Sequence, residues 1–186
     1  RIFFGFEGNV TIDDARSYIA RTDKKYDAII YDVAAGDGYA VHLFSQEAFA
    51  AAKEILNKNG IVVVNFNGPA HSPKVTSLFK TLKSIFSNVF IVNGTDPEYI
   101  LSSQFFFATD RQIDSETVER NIKKFVKSAG EEETLLNVWR NFTIHSLSEG
   151  IIVTDDFNPL DNFQIDSTTA WRTQNLKIFG DLLLRY

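Results

Sequence analysis

The sequence predicts an α/β domain: an open, mostly parallel sheet with helices on both faces, followed by a helical C-terminal extension. Three observations carry this expectation. Short β-rich apolar runs alternate with amphipathic stretches through the first two-thirds of the chain, as in a doubly wound sheet. Two of those runs, residues 26–33 (YDAIIYDV) and 61–66 (IVVVNF), are almost continuously apolar, as parallel strands covered on both faces are. Beyond Asp110 the β-rich runs give way to helical periodicity.

The elements follow in order. Residues 10–12 form a short strand candidate, and residues 14–20 read as a helical turn. After the strand at 26–33 comes a helix over 45–56. Its start is marked by Ser45 and Glu47, and Phe49, Ala52 and Leu56 recur on one face. Asn57-Lys58-Asn59-Gly60 should end that helix, with Gly60 supplying the positive φ of a C-cap. The strand at 61–66 leads to a helix over 73–86, whose Val75, Leu78, Phe79, Leu82 and Phe86 share a side. Residues 89–92 and 104–109 complete the strands. Residues 115–128 form an amphipathic helix facing inward with Ile122, Phe125 and Val126, and residues 131–147 form a second. A brief apolar run at 151–153 is followed by TDDFNPLDN (154–162), which breaks regular structure. A last helix is expected over 169–184. Without internal repeats, residues 1–186 read as one domain, with 111–186 as its helical extension.

Composition narrows the function. The 186 residues are 44% hydrophobic and 23% charged, values that exclude wholesale disorder. Nineteen basic against 24 acidic side chains give a net charge of −5, with no basic block. Binding to nucleic acid by counterion release is therefore not expected, whereas a small cationic substrate is electrostatically permitted. The absence of Cys removes disulfides, thiolate metal sites and cysteine nucleophiles. His42, His71 and His145 lie far apart, so no metal site is expected. No apolar run approaches the ~20 residues that span a bilayer, and the N-terminus has no signal-peptide pattern. No membrane contact is expected, and the expected compartment is the cytoplasm.

Chemistry concentrates between residues 10 and 65. Asp14 follows a short strand candidate and Asp32 ends a buried one. Ligands of open α/β sheets bind beyond the carboxyl ends of the strands, which puts both carboxylates on one rim. There an acidic side chain accepts hydrogen bonds from a ligand amine or hydroxyl, or acts as a general base. The same positions equally suit a helix N-cap for Asp14 and a loop-start residue satisfied by backbone N–H groups for Asp32.

The stretches IDDARSYI, KKYDAIIYD, HLFSQEAF, AKEILNKNGIVVVNF and SSQFFFATD resemble, in that order, the C-terminal part of the spermidine synthase (aminopropyltransferase) family. VTDDFNPLD resembles the tail of its bacterial spermidine-synthase-like branch. The likeness spans about residues 8–110 plus that tail. It implies a partial Rossmann-like sheet of the class I methyltransferase-like fold. It also implies aminopropyl transfer from decarboxylated S-adenosylmethionine, as co-substrate, to putrescine or a related amine. Carried over by position, Asp14 would bond the adenine of the donor, Asp32 would deprotonate the attacking amine, and no metal would take part.

The departures from that family are specific. Its second Asp, three residues after the base, is Ala35 here; Asp37, two further on, is the candidate substitute in amine binding. The aromatic- and Pro-rich segment that encloses the polyamine has no counterpart. The glycine-rich donor loop and the ribose-binding acid would precede Arg1, so the chain is expected to lack the donor-loop half of its domain. Either the natural protein extends upstream, or a partner such as a second copy in a homodimer covers the strand at 10–12.

Two other readings use the same residues. DVAAGDG (32–38) resembles a methyltransferase donor loop with Ala34 in place of the first Gly. It would make the protein an S-adenosylmethionine-dependent methyltransferase. Against it, IVVVNF has Asn65 where an acidic ribose ligand belongs, and LNKNGIVVV looks like a late strand of the fold, so residues 36–40 are expected to be an irregular loop. The third reading is a non-catalytic domain of the same fold. The remaining polar candidates have plainer roles. His42 suits a loop or cap, His71 a solvent-facing loop, and His145 a partly buried helix position. Asp155, Asp156 and Asp161 suit turns and caps more than a cationic substrate. Ser45 lacks a His–Asp partner set, and Trp139 and Trp171 suit packing.

Overall fold

The computed structural model describes residues 8–33, 40–93, 102–141 and 143–163, together with Thr169 and Thr173. The chain runs α1 (Ala15–Arg21), β1 (Tyr26–Tyr31), a 3-10 turn (Val41–Leu43), α2 (Gln46–Glu54), β2 (Leu56–Asn67), α3 (Pro73–Ile85), β3 (Asn88–Asn93), β4 (Ser103–Thr109), α4 (Ser115–Phe125), α5 (Ala129–Asn141) and β5 (Thr143–Ile144). The five strands form one sheet in the order β1-β2-β4-β3-β5. β1 and β2 are parallel, while β4 is antiparallel to both β2 and β3. The α/β layering is as expected, but the strand directions are not. β3 and β5 are antiparallel too, so among the described strands only the β1–β2 pairing is parallel, because β4 turns back between β2 and β3.

Strand alternation divides the sheet into two faces. Val62, Val64 and Phe66 of β2 share one face with Phe106 and Ala108 of β4 and Val89 and Ile91 of β3, all essentially inaccessible to solvent. Against them pack Phe49 and Ala52 of α2 and Val75, Leu78, Phe79 and Leu82 of α3. Tyr31, Phe44, Phe49, Phe66 and Phe106 link ring to ring at centroid separations of 5.4–6.4 Å, which gives four of the 17 phenylalanines a role in the core. On the opposite face Phe90 stacks on Phe107 at 5.0 Å and meets the Trp139 edge at 5.4 Å. Trp139 is a packing residue, as expected. Between this face and helices α4 and α5 lies a largely apolar cavity of about 560 Å³ bordered by Ile61, Phe107, Ile122 and Trp139.

Several elements depart from expectation. Residues 10–12 form no strand; Ile12 is 97% exposed. β1 is not covered on both faces. It stands at the sheet edge among the described residues, and Ile30 is 68% exposed. Its apolar run therefore reports sheet membership, while its burial depends on neighbours that sequence periodicity does not reveal. Helix α2 stops at Glu54, and Asn57–Gly60 belongs to β2. The β1–β2 register jumps there, from Tyr26↔Leu56 to Ala28↔Ile61, which is the accommodation of extra residues in a bulge. The positive φ falls on Asn59 (65°), a residue that tolerates it. Gly60 instead makes room, since a Cβ there would stand 3.0 Å from the Asn57 carbonyl oxygen. Helix α4 leaves Phe125 68% exposed. Helix α5 ends at Asn141, so His145 follows the short β5 strand and is exposed beside Phe90 and Trp139. The helix expected over 169–184, with Trp171, lies outside the described residues apart from Thr169 and Thr173.

The segment from Gly150 to Leu160 straps the α2–α3 layer. The Ser77 and Thr81 hydroxyls of α3 accept from the backbone N–H groups of Ile151 (3.2 Å) and Val153 (2.9 Å). The Gln46 N–H at the start of α2 donates to the Val153 carbonyl at 2.8 Å. Gly150 makes the approach feasible: its φ is +95°, and a Cβ there would lie 2.5 Å from the Thr76 carbonyl carbon. A Gly150→Ala substitution should therefore destabilise the fold by about 2 kcal/mol or more. Urea unfolding checks this; an unchanged midpoint would show that the strap is not tightly seated.

Candidate functional site

The site gathers where β1 and β2 end. Tyr31 pairs with Val64 across these parallel strands, so the next residues along, Asp32 and Asn65, emerge side by side. The Asn65 Nδ2 donates to Asp32 Oδ1 at 3.0 Å. Asp32 is exposed, and among the described residues it accepts no backbone N–H and its Oδ2 has no bond. The loop-start alternative draws its backbone donors from the residues that follow, and 34–39 lie outside the described residues. The Asn65 Oδ1 is buried without a hydrogen-bond partner, an acceptor beside a carboxylate. On the core face of β1 the Tyr31 hydroxyl is also buried and unpartnered among the described residues, and burial pushes its phenol above the ordinary range.

Asp14 is the N-cap of α1, the alternative that its position equally allowed: its Oδ1 accepts from the Ser17 N–H at 2.9 Å. Its Oδ2 accepts from the His42 Nε2 at 2.7 Å. The Ser17 backbone bond first, and the His42 bond second, hold the Asp14 carboxyl below its ordinary range. His42 sits in the 3-10 turn, a loop role as expected, but with a partner that sequence spacing did not suggest. No direct bond among the described residues joins Asp14 to Asp32. Asp37, with Ala34, Ala35, Gly36 and Gly38, lies outside the described residues, and with it the expected loop over 36–40.

A second connection was invisible in the sequence. Arg16, two residues after Asp14, forms a two-pronged pair with Asp155 and donates from Nη1 to the His42 carbonyl at 3.0 Å. Ser45, buried as the N-cap of α2, donates its hydroxyl to Asp155 and accepts the Ala48 N–H at 3.1 Å. The Asp155 N–H donates to Glu47 Oε2 at 2.9 Å, and the Asn158 side chain reaches the Val41 carbonyl at 2.9 Å. Asp155 is thus an ion-pair partner as well as a residue of the turn that the Phe157 N–H closes on the Thr154 carbonyl at 3.3 Å. One signal could have pointed to it: the TDDFNPLD block is unusually acidic for a segment that must pack.

Other groups stay apart from this rim. His71 is exposed in its loop, as expected. A cavity of about 410 Å³ lies against β1 and α1, bordered by Asp13, Tyr18, Ala28 and Ile29, but neither Asp14 nor Asp32 lines it. Among the described residues no three acidic or histidine side chains converge as metal ligands would. No described helix is long and apolar enough to cross a membrane.

Arg16, then Ser45, holds the Asp155 carboxyl below its ordinary range. A carboxylate depressed on folding stabilises the fold above its unfolded pKa of about 3.9, and this contribution is lost as pH falls through the lower folded value. Asp155→Asn should flatten the acid limb of the stability curve below about pH 4. Thermal unfolding across that range checks this; an identical acid limb in the variant would show that the pair does not couple to folding.

With this geometry in place, comparisons with known proteins become informative. A family profile described as the spermine/spermidine synthase domain matches residues 6–130. A polyamine aminopropyltransferase from Thermoplasma volcanium is 32% identical over 92 residues, covering 49% of this chain and 34% of that protein. An N-terminal histidine N-methyltransferase from Emericella nidulans is 31% identical over 80 residues, covering 40% of this chain and 14% of that protein. The chain spans about a third of the length of the aminopropyltransferases it matches. In fold it resembles the spermidine synthase structure from Thermotoga maritima, with a TM-score of 0.54 at 17% identity, covering 75% of this chain and 47% of that one.

Proposed function

Because the chain belongs to the spermine/spermidine synthase family, we propose that its full-length protein transfers an aminopropyl group from decarboxylated S-adenosylmethionine to a small amine such as putrescine. The observation that carries the reading is Asp32: an exposed carboxylate at a strand end, aligned by Asn65 and bonded to no other described residue. In this reading Asp32 accepts a proton from the substrate ammonium. The freed nitrogen lone pair attacks the carbon next to the sulfonium. The new C–N bond forms as the C–S bond breaks, and its electron pair stays on sulfur, releasing 5′-methylthioadenosine. The nitrogen of the product then sheds its extra proton to solvent.

Two features give Asp32 this role physically. A negative charge at the rim attracts the dication, and among the described residues only the Asn65 amide holds the carboxylate, on one oxygen, which leaves the other for the substrate. Asp14 fits the exocyclic amine of adenine, since it is acceptor-only and about half exposed. Asp37 is proposed as a further contact to the amine, in place of the residue that Ala35 replaces. Residues 111–186 belong to the same domain in this reading, and no resident metal takes part.

In the full-length protein, Asp32→Asn should lower aminopropyl transfer by about 10²–10⁴-fold, the usual share of general-base catalysis, with folding unchanged. Product formation from decarboxylated S-adenosylmethionine and putrescine measures it. Equal rates in parent and variant would make Asp32 structural. Methyl transfer by the parent in place of aminopropyl transfer would overturn the reading in favour of a methyltransferase.

A further inference from the structure

We propose that His42 is the positioning residue of the nucleoside subsite: it fixes the carboxylate of Asp14 so that only a base carrying an exocyclic amino group is accepted. The inference rests on the reading of Asp14 as the adenine contact and goes beyond it by naming what sets that contact's specificity. Asp14 Oδ1 accepts from the Ser17 N–H at 2.9 Å and Oδ2 from the His42 Nε2 at 2.7 Å, with the Ser17 side chain a smaller contributor. A cap bond alone leaves a carboxylate free to swing about it. A second bond from a different element fixes the carboxylate plane, so that its remaining lone pairs face one direction.

His42 is itself held. It sits in the Val41–Leu43 turn, its carbonyl accepts from Arg16, and Arg16 is fixed by Asp155 from the strap. The neighbouring Leu43 and Phe44 are buried in the core, so the turn cannot drift. Arg16, which holds the turn, is itself surrounded by Asp155 from the strap, Glu47 from α2 and Asp14. All three carboxylates around Arg16 are anionic, and of the side chains that bond Asp14, His42 contributes more than Ser17.

The specificity follows from donor and acceptor counting. With the Nε2 hydrogen spent on Asp14, the pair offers acceptors only to an arriving base. A 6-amino purine donates into that face, whereas a 6-oxo purine places oxygen against oxygen. Were His42 not bonded to Asp14, its N–H would be available to a 6-oxo group and the discrimination would fall.

The test is calorimetric binding of 5′-methylthioadenosine and of 5′-methylthioinosine to the full-length protein, in the parent and in His42→Ala, His42→Gln and Asp14→Ala. The side chain of His42 is about half exposed, so the unfolding temperature serves as a folding control. His42→Ala should weaken 5′-methylthioadenosine binding about tenfold or more, the size of one charge-assisted hydrogen bond, and shrink its preference over the 6-oxo ligand. His42→Gln, which keeps an N–H donor, should restore most of both. If Asp14→Ala loses binding but His42→Ala keeps both affinity and preference, His42 has no positioning role. If His42→Ala and His42→Gln weaken binding equally with the preference intact, the role is steric and the proposal fails. If the parent does not bind 5′-methylthioadenosine, the reading of Asp14 falls and takes this inference with it.

Discussion

The period-two alternation of β2 is the constraint on which both the core and the rim depend. Val62, Val64 and Phe66 point to the α2–α3 side, and Ile61, Val63 and Asn65 to the other. The parallel register with β1, Tyr31 opposite Val64, then sets Asn65 beside Asp32. A slip of one residue would turn Asn65 into the phenylalanine core and Phe66 out of it, at the cost of a buried amide and a lost aromatic contact. Core packing therefore enforces the pairing of two polar side chains that play no part in the core. The bulge at Asn57–Gly60 is where this register is adjusted. It lies at the opposite end of β2, so the irregularity is absorbed away from the rim.

The rim is also closed from a distance along the chain. Asp155 stands 139 residues from Arg16, yet their pair, with Ser45 and the His42 carbonyl, ties α1, the 3-10 turn and the start of α2 together. None of these partners is strong alone, since exposed ion pairs contribute little. Their value lies in sharing: one carboxylate serves a helix cap residue and an arginine at once, and the arginine in turn holds the turn that carries His42. The strap is fixed independently by α3 hydroxyls and by Gly150, so the network is anchored to the core at both ends.

Much of this was legible in the sequence where local pattern decides structure. α3 appears within one residue of expectation because Pro73 starts it and five apolar residues share its inner side. Ser45 caps α2 as its chemistry requires. The misreadings have a common cause. NKNG has the composition of a helix stop, but a bulge in a strand needs the same residues, and only the neighbouring strand distinguishes them. Ile30 and Phe125 read as buried because they are apolar, while burial is a property of what packs against them. Asp14 was legible as both a cap and a contact residue; its bond to His42 was not, because it joins positions 28 residues apart through tertiary structure. The pairing of Asp32 with Asn65 was hidden for the same reason.

The central claim is that an aligned, open carboxylate at the end of β1 meets the amine while Asp14 meets the nucleoside. A crystal structure of the full-length protein with 5′-methylthioadenosine and putrescine tests it most directly. The account predicts the amine nitrogen within about 3 Å of Asp32 Oδ2, a hydrogen-bond distance, and the adenine amino group on Asp14. Putrescine bound away from Asp32, or the nucleoside seated with its methionine-derived end against Gly36, would contradict it.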